Sequence, residues 1–68
     1  MDAFDNLFFL LANGKNIIWN STIGLWIFSG ISQSYAFEES IVNEVVNAGI
    51  AYVDDSNGIK LLHAVKQD

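Results

Sequence analysis

Two runs of β-forming residues around an Asn-Gly pair constrain the fold more than any other feature of this chain. Residues 50–53 and 59–65 are rich in apolar and β-branched side chains, and a polar segment ending in Asn57-Gly58 separates them. Asn-Gly is the preferred pair for a type I′ turn, because both central residues need a positive φ. The sequence therefore predicts a β-hairpin in which Asp55 lies opposite Lys60. One face of this hairpin is predicted to pack on helices, and it carries Ile50, Tyr52, Ile59, Leu61, His63 and Val65.

The segment before the hairpin has the periodicity of an amphipathic helix. Ser34 is the predicted N-cap, and Glu38 and Glu39 would lie in the first turn, where the helix dipole favours acids. Gly49 suits the left-handed residue that ends a helix. The predicted buried stripe consists of Phe37, Ile41, Val42, Val45 and Val46.

Residues 2–12 are predicted to form another helix. Asp2 can cap it, and Asn13-Gly14 is a typical C-terminal stop. Phe9 lies opposite the main apolar face, so it either contacts a partner or is covered by a second layer of the fold. The main face is formed by Phe4, Leu7, Phe8 and Leu11.

The middle of the chain has an ambiguous period. Residues 15–20 suit a short extended segment, whereas residues 21–33 fit either a helix or a strand. We predict a helix there, because the polar residues before Ile23 resemble a helix start; the aromatic and β-branched content would also suit a strand. The predicted fold class is thus α+β, with three helices followed by a C-terminal β-hairpin, in a single small domain over residues 1–68.

A family resemblance covers about half of the chain, residues 30–66. Gly30-Ile31-Ser32-Gln33-Ser34-Tyr35-Ala36-Phe37 resembles the turn and recognition-helix start of helix-turn-helix proteins. Residues 45–62 are similar to the helix-to-wing passage of winged-helix domains. The resemblance implies a winged-helix-like fold and a reading helix for DNA. The exposed face of that helix is acidic, which favours the protein-interaction role that some members of this fold adopt. The acids on that face are Glu38, Glu39 and Glu44.

The charge balance also disfavours nucleic acid as a partner. The net charge is −5, with eight acids against three lysines, at positions 15, 60 and 66. Nucleic-acid binders neutralise phosphates with Lys and Arg, and are typically basic. Cysteine is absent and the first residues are acidic, so a cytoplasmic location is expected. Residues 16–37 carry no charge, but polar residues interrupt the run too often for a membrane span.

Apolar side chains outnumber the buried positions that so small a domain can offer. Of the 68 residues, 51% are hydrophobic, and two Trp, five Phe and two Tyr are among them. A domain of this size buries only about 60% of the surface that its unfolded chain exposes. Part of the surplus is therefore predicted to form a contact site for a second copy or another protein. The predicted interface residues are Phe9, Trp19, Trp26 and Phe28.

No residue pattern indicates an enzyme, a cofactor or a metal site. His63 has no evident catalytic partner in the sequence, and its position suits a half-buried structural histidine. A calcium loop aligned on Gly58 would need carboxylates where Val53 and Ala64 stand. The carboxylates are explained by caps and turns.

The expected function is non-catalytic protein binding by a small regulator or inhibitor. Phage-encoded inhibitors of host systems are often small, acidic and cysteine-free, so an anti-CRISPR-like role fits, although no residue singles it out. The alternative is a DNA-binding winged-helix transcriptional regulator. Its predicted polar contacts would come from Ser32, Gln33, Ser34 and Lys60.

Overall fold

The computed structural model describes residues 2–66 and consists of two α-helices on one face of a five-stranded antiparallel sheet. The strand order in the sheet is β3-β2-β1-β5-β4, so the last strand lies beside the first. A short 3₁₀ turn, Ser56–Gly58, lies between β4 and β5. The elements in chain order are α1 (Ala3–Ala12), β1 (Ile17–Asn20), β2 (Leu25–Ser29), β3 (Ser34–Phe37), α2 (Glu39–Asn47), β4 (Ala51–Asp54) and β5 (Leu61–Ala64).

The predicted arrangement of three helices followed by a hairpin is wrong, and so is the winged-helix resemblance. Residues 30–37 form the β2–β3 turn and strand β3, where the resemblance placed a turn and a reading helix. The C-terminal hairpin is not an appended wing, because β5 pairs with β1 as well as with β4. Both expectations missed two pairings: residues 34–37 form a hairpin with β2, and β5 pairs with the distant strand β1.

The helix predicted over residues 21–33 is replaced by the β1–β2 turn and strand β2. Asn20 Oδ1 accepts hydrogen bonds from the backbone N–H groups of Thr22 (3.0 Å) and Ile23 (3.3 Å). Asparagine makes the same bonds at helix starts and in turns, so its presence did not distinguish the two. Gly24 closes the turn with a φ of 70°, and Trp19 then lies opposite Trp26 in the sheet.

The predicted extent of the first helix is confirmed, but its predicted apolar face is only partly correct, since Phe8 is 47% exposed and Leu10 is buried. Asp2 caps α1, since its Oδ1 accepts from the N–H of Asp5 at 2.9 Å, and the helix ends at Ala12. The second helix begins at Glu39, later than the predicted cap Ser34, because Ser34–Phe37 pairs with β2. Its buried side chains belong to the predicted stripe.

The C-terminal hairpin has the predicted register but presents the opposite face to the helices. Tyr52 lies opposite His63, as the sequence indicates, but pairing ends at Asp54 and Leu61, and the 3₁₀ turn takes the place of a type I′ turn. Leu62 faces the helices because it pairs with Ile17 of β1, and both side chains are fully buried. Since side chains alternate along a strand, Tyr52, Leu61 and His63 lie on the face that the helices leave open.

The core lies between the helices and the inner face of the sheet. Leucines of α1 and valines of α2 meet the central strands there, and Trp26 and Phe37 extend the core towards β3. No charged or polar residue is buried among the described residues. The side chains that are most completely buried are Leu7, Leu11, Ile17, Val42, Val45 and Leu62.

We predict that Gly30→Ala destabilises the protein. A Cβ at this position would lie 2.5 Å from the backbone oxygen of Gln33 and 3.0 Å from the ring of Phe28, so the β2–β3 turn must shift. Overpacking of this kind costs about 1–3 kcal/mol. Thermal unfolding followed by circular dichroism should show a lower Tm, whereas Ser32→Ala in the same turn should leave it unchanged. Equal Tm values for the two variants would contradict this role of Gly30.

Candidate functional site

An open groove between α1 and the β2–β3 turn is lined by three aromatic rings, those of Phe9, Phe28 and Tyr35. We call it the aromatic groove. Its apolar lining comes from α1 and from the β2–β3 hairpin, which contributes the inner face of both strands and the turn between them. The apolar residues of the aromatic groove are Phe9, Leu10, Phe28, Ile31 and Tyr35.

Strand pairing fixes the aromatic side chains contributed by the sheet. Phe28 lies opposite Tyr35, and their rings stack with centroids 6.4 Å apart at 23°. Tyr35 also stacks on Phe37, at 6.2 Å and 25°. The hydroxyl group of Tyr35 donates a hydrogen bond of 2.7 Å to Gln33 Oε1. These contacts hold the rings in place without a partner, which lowers the entropy cost of using them in binding.

The helix and the turn contribute the most exposed apolar side chains of the aromatic groove. Phe9 projects from α1 with 58% of its surface exposed, and Ile31 is fully exposed at the tip of the turn. Lys15 is the one charged residue of the lining. The groove can therefore bury apolar and aromatic groups, but it offers little for a phosphate backbone.

The structure brings together two of the four predicted interface residues. Phe9 and Phe28 line the aromatic groove, whereas the two tryptophans pack against each other with ring centroids 5.5 Å apart at 55°. Trp19 is half-buried, and Trp26 lies in the core with only 4% of its surface exposed. The buried Nε1–H of Trp26 has no hydrogen-bond acceptor within residues 2–66.

The four polar residues of the DNA-binding alternative do not form one surface. Ser32 and Gln33 lie in the β2–β3 turn, and Ser34 begins β3 next to them. Lys60 directly precedes β5, and its carbonyl accepts from Trp19 N–H. Ile18 pairs with both Ile27 and Leu61, and Lys60 lies beyond this row of residues, on the side away from the β2–β3 turn.

A small polar cluster lies on the open face of the sheet. His63 Nδ1 is 3.0 Å from Asn16 Oδ1, and His63 Nε2 is 3.8 Å from Asp54 Oδ2. The Ser56 hydroxyl donates to Asp54 Oδ1 at 2.7 Å. Three groups lower the pKa of Asp54: the Ser56 hydroxyl through this bond, the Ser56 backbone N–H through a second bond, and the nearby His63 through its charge. The Ser56 hydroxyl contacts the carboxylate and not the imidazole, so the cluster lacks the nucleophile–base order of a catalytic triad.

An apolar row crosses the middle of the same open face. Ile18, Ile27 and Leu61 lie side by side on neighbouring strands, and Ala36 completes the row on β3. The sequence-based interface residues did not include them. A signal was present, since the β2 sequence Leu-Trp-Ile-Phe-Ser is apolar at successive positions, as in a strand with apolar side chains on both faces.

Neither helix within residues 2–66 has the length and hydrophobicity needed to cross a membrane. Over the same range, no three His, Asp or Glu side chains converge as metal ligands would. No protein-family model matches the chain, and the curated proteins and the solved structures contain no significant match to it either. The surfaces themselves are therefore the basis for inferring a function.

We predict that Ser56→Ala lowers stability at neutral pH but has little effect in acid. The pKa of Asp54 is lowered mainly by the Ser56 hydroxyl, so the ionised carboxylate stabilises the fold. This contribution is present above the ordinary carboxyl pKa of about 3.9 and is lost as the pH falls through the lowered value. Urea unfolding across this pH range should show the wild-type and variant midpoints converging as the pH falls. A constant difference would contradict the assignment.

Proposed function

We propose that this protein is a non-catalytic protein-binding module, a small regulator or inhibitor that engages its partner through the aromatic groove. The observation that supports this most is the alignment of Phe9, Phe28 and Tyr35 along one open groove. Three separate elements supply these rings, so their convergence is a property of the fold.

The chemistry of the aromatic groove favours a polypeptide partner. Aromatic side chains in a desolvated centre supply much of the energy of protein–protein interfaces, and polar groups around them supply orientation. Here Asn6, Gln33 and Ser32 lie at the margin of the aromatic residues and can exchange hydrogen bonds with a backbone or with polar side chains. An apolar partner segment would fill the groove between Phe9 and Tyr35.

Charge supports a protein partner over DNA or RNA. The net charge is −5, and the aromatic groove contains Lys15 as its one cation. Aromatic platforms for single-stranded nucleic acid lie in positively charged grooves, since the backbone must be neutralised. A partner that presents basic residues around an apolar segment would complement this protein.

The same features define the wider class to which the protein would belong. A small, acidic binder without cysteine suits the cytoplasm, where thiols are kept reduced and disulfides are rare. A phage-type inhibitor of a host system, of which anti-CRISPR proteins are one kind, is one form of such a binder. Identification of the partner distinguishes this form from a regulator of the protein's own cell.

We predict that Phe9→Ser abolishes partner binding without unfolding the protein. Phe9 is 58% exposed, so its loss removes contact area from the aromatic groove but little from the core. The matched control is Ile23→Ser, which removes a side chain that is 55% exposed in the β1–β2 turn, at the far end of β2. Tagged wild-type and variant proteins should be used as bait in native-host extract, followed by mass spectrometry and titration of the purified partner.

The proposal requires a protein that is retained by the wild type and by Ile23→Ser but lost with Phe9→Ser. Loss of at least about 2 kcal/mol of binding free energy is expected if Phe9 is a central contact. Equal retention by all three baits would contradict the role of the aromatic groove. A gel shift with DNA that is strong at low salt and weakens steeply as salt rises would favour the DNA-binding alternative.

A further inference from the structure

Strand β3 forms an edge of the sheet whose backbone groups are open for pairing. Gly30 N–H donates to the Gln33 carbonyl at 2.8 Å, which makes these two residues a hydrogen-bonded pair. Bonded and non-bonded pairs alternate along an antiparallel ladder, so Phe28–Tyr35 is the next bonded pair. Ser34 and Ala36 then direct their N–H and C=O groups away from β2, towards solvent.

This edge has few of the features that prevent strands from pairing with other chains. Natural proteins protect exposed edges with charged side chains, proline, bulges or a covering element. Residues 30–37 contain no Asp, Glu, Lys, Arg or Pro, and the main contacts of β3 within the chain are with β2. The opposite edge, β4, carries Asp54 in the strand and Asp55 directly after it, which disfavours pairing there.

We propose that a second copy of this chain pairs with β3 along this edge, antiparallel, with Tyr35 opposite Tyr35 of the second copy. In that register Ser34 of each copy lies opposite Ala36 of the other, so the outward N–H and C=O groups of both residues bond reciprocally. The two sheets then become one continuous sheet across a two-fold axis. This inference goes beyond the proposed function, because it does not require a partner in the aromatic groove.

The reciprocal register favours a second copy as the occupant, and charge and side-chain size permit it to approach this edge. Two copies of a protein with a net charge of −5 repel each other, and they can approach most easily where neither presents a charge. In the proposed register the first acid, Glu38, lies opposite Ser32 of the second copy, so no like charges face each other. The small side chains of Ser34 and Ala36 leave both backbones accessible.

The aromatic residues gain from the same register. Tyr35 is half-buried and already stacks on Phe28, with ring centroids 6.4 Å apart. Non-hydrogen-bonded pairs in antiparallel sheets bring their side chains close together, and aromatic pairs at such positions are stabilising. The two Tyr35 rings would join the aromatic grooves of both copies into one longer aromatic surface.

The test is a comparison of proline variants at the two edges of the sheet. Ala36→Pro removes an outward N–H group from β3, and Val53→Pro removes an outward N–H group from β4. Val53 is at an outward position because Val65 N–H bonds to the Ile50 carbonyl, and bonded and non-bonded pairs alternate along the ladder. Neither substitution removes a bond of the intrachain ladder. Sedimentation equilibrium should give about twice the chain mass of 7.5 kDa for the wild type and for Val53→Pro. Ala36→Pro should raise the dimer dissociation constant by at least about tenfold.

A second variant and a residue-specific measurement keep the test decisive if Ala36→Pro fails to fold. Ala36→Glu places a charge on an exposed side chain and should also dissociate the dimer, with partial recovery at high salt. In the wild type, amide exchange measured by NMR should show that Ser34 and Ala36 become protected as the concentration rises. A monomer at all concentrations would overturn the proposal. A dimer that persists in both Ala36 variants would also overturn it, as would a wild-type dimer in which the Ser34 and Ala36 amides stay unprotected. In either case another surface would be the interface.

Discussion

The pairing of β5 with β1 joins the two ends of the chain into one sheet and fixes which side chains form the core. It places Leu62 opposite Ile17 in the middle of the sheet, where both side chains are fully buried beneath the helices. Without this pairing the sheet would be two separate antiparallel segments, β3-β2-β1 and β5-β4. Closing it costs loop entropy, which the joint burial of Leu7, Leu11 and the central strands offsets.

The placement of the helices explains why apolar surface remains exposed. The main helix–sheet contacts are those of α1 with β5 and of α2 with β4 and β2, so the inner face near β3 is only partly covered. Phe28 and Tyr35 lie in that uncovered part, and Phe9 borders it from α1. The aromatic groove thus forms because two short helices cannot cover the whole inner face of a five-stranded sheet. Small domains meet this constraint generally, since their surface is large for their volume.

The groove and the β3 edge are different kinds of surface and are suited to different kinds of contact. The groove offers side chains with fixed rings, which suit the burial of apolar groups from a partner. The edge offers backbone donors and acceptors, which suit an extended strand. Tyr35 belongs to both, because it lines the groove and lies at the centre of β3. Binding at one surface would therefore change the environment of Tyr35 at the other surface.

Features that depend on neighbours along the chain could be derived from the residues alone. These include the Asp2 cap and the Ala12 end of α1, and the register of Tyr52 with His63. Local hydrogen bonds, helical periodicity and strand alternation set them within a few residues.

Two features could not be derived from the residues alone: the choice between helix and strand in the middle of the chain, and the face of the hairpin that is buried. Asn20 suits a helix cap and a turn equally well, and the extended state of residues 25–37 is fixed by β2 pairing on both sides, with β1 and with β3. The buried face of β5 follows from its partner Ile17, which lies far away in sequence. The β1–β5 pairing joins segments that are distant in the sequence, so no local pattern of residues specifies which face of β5 is buried.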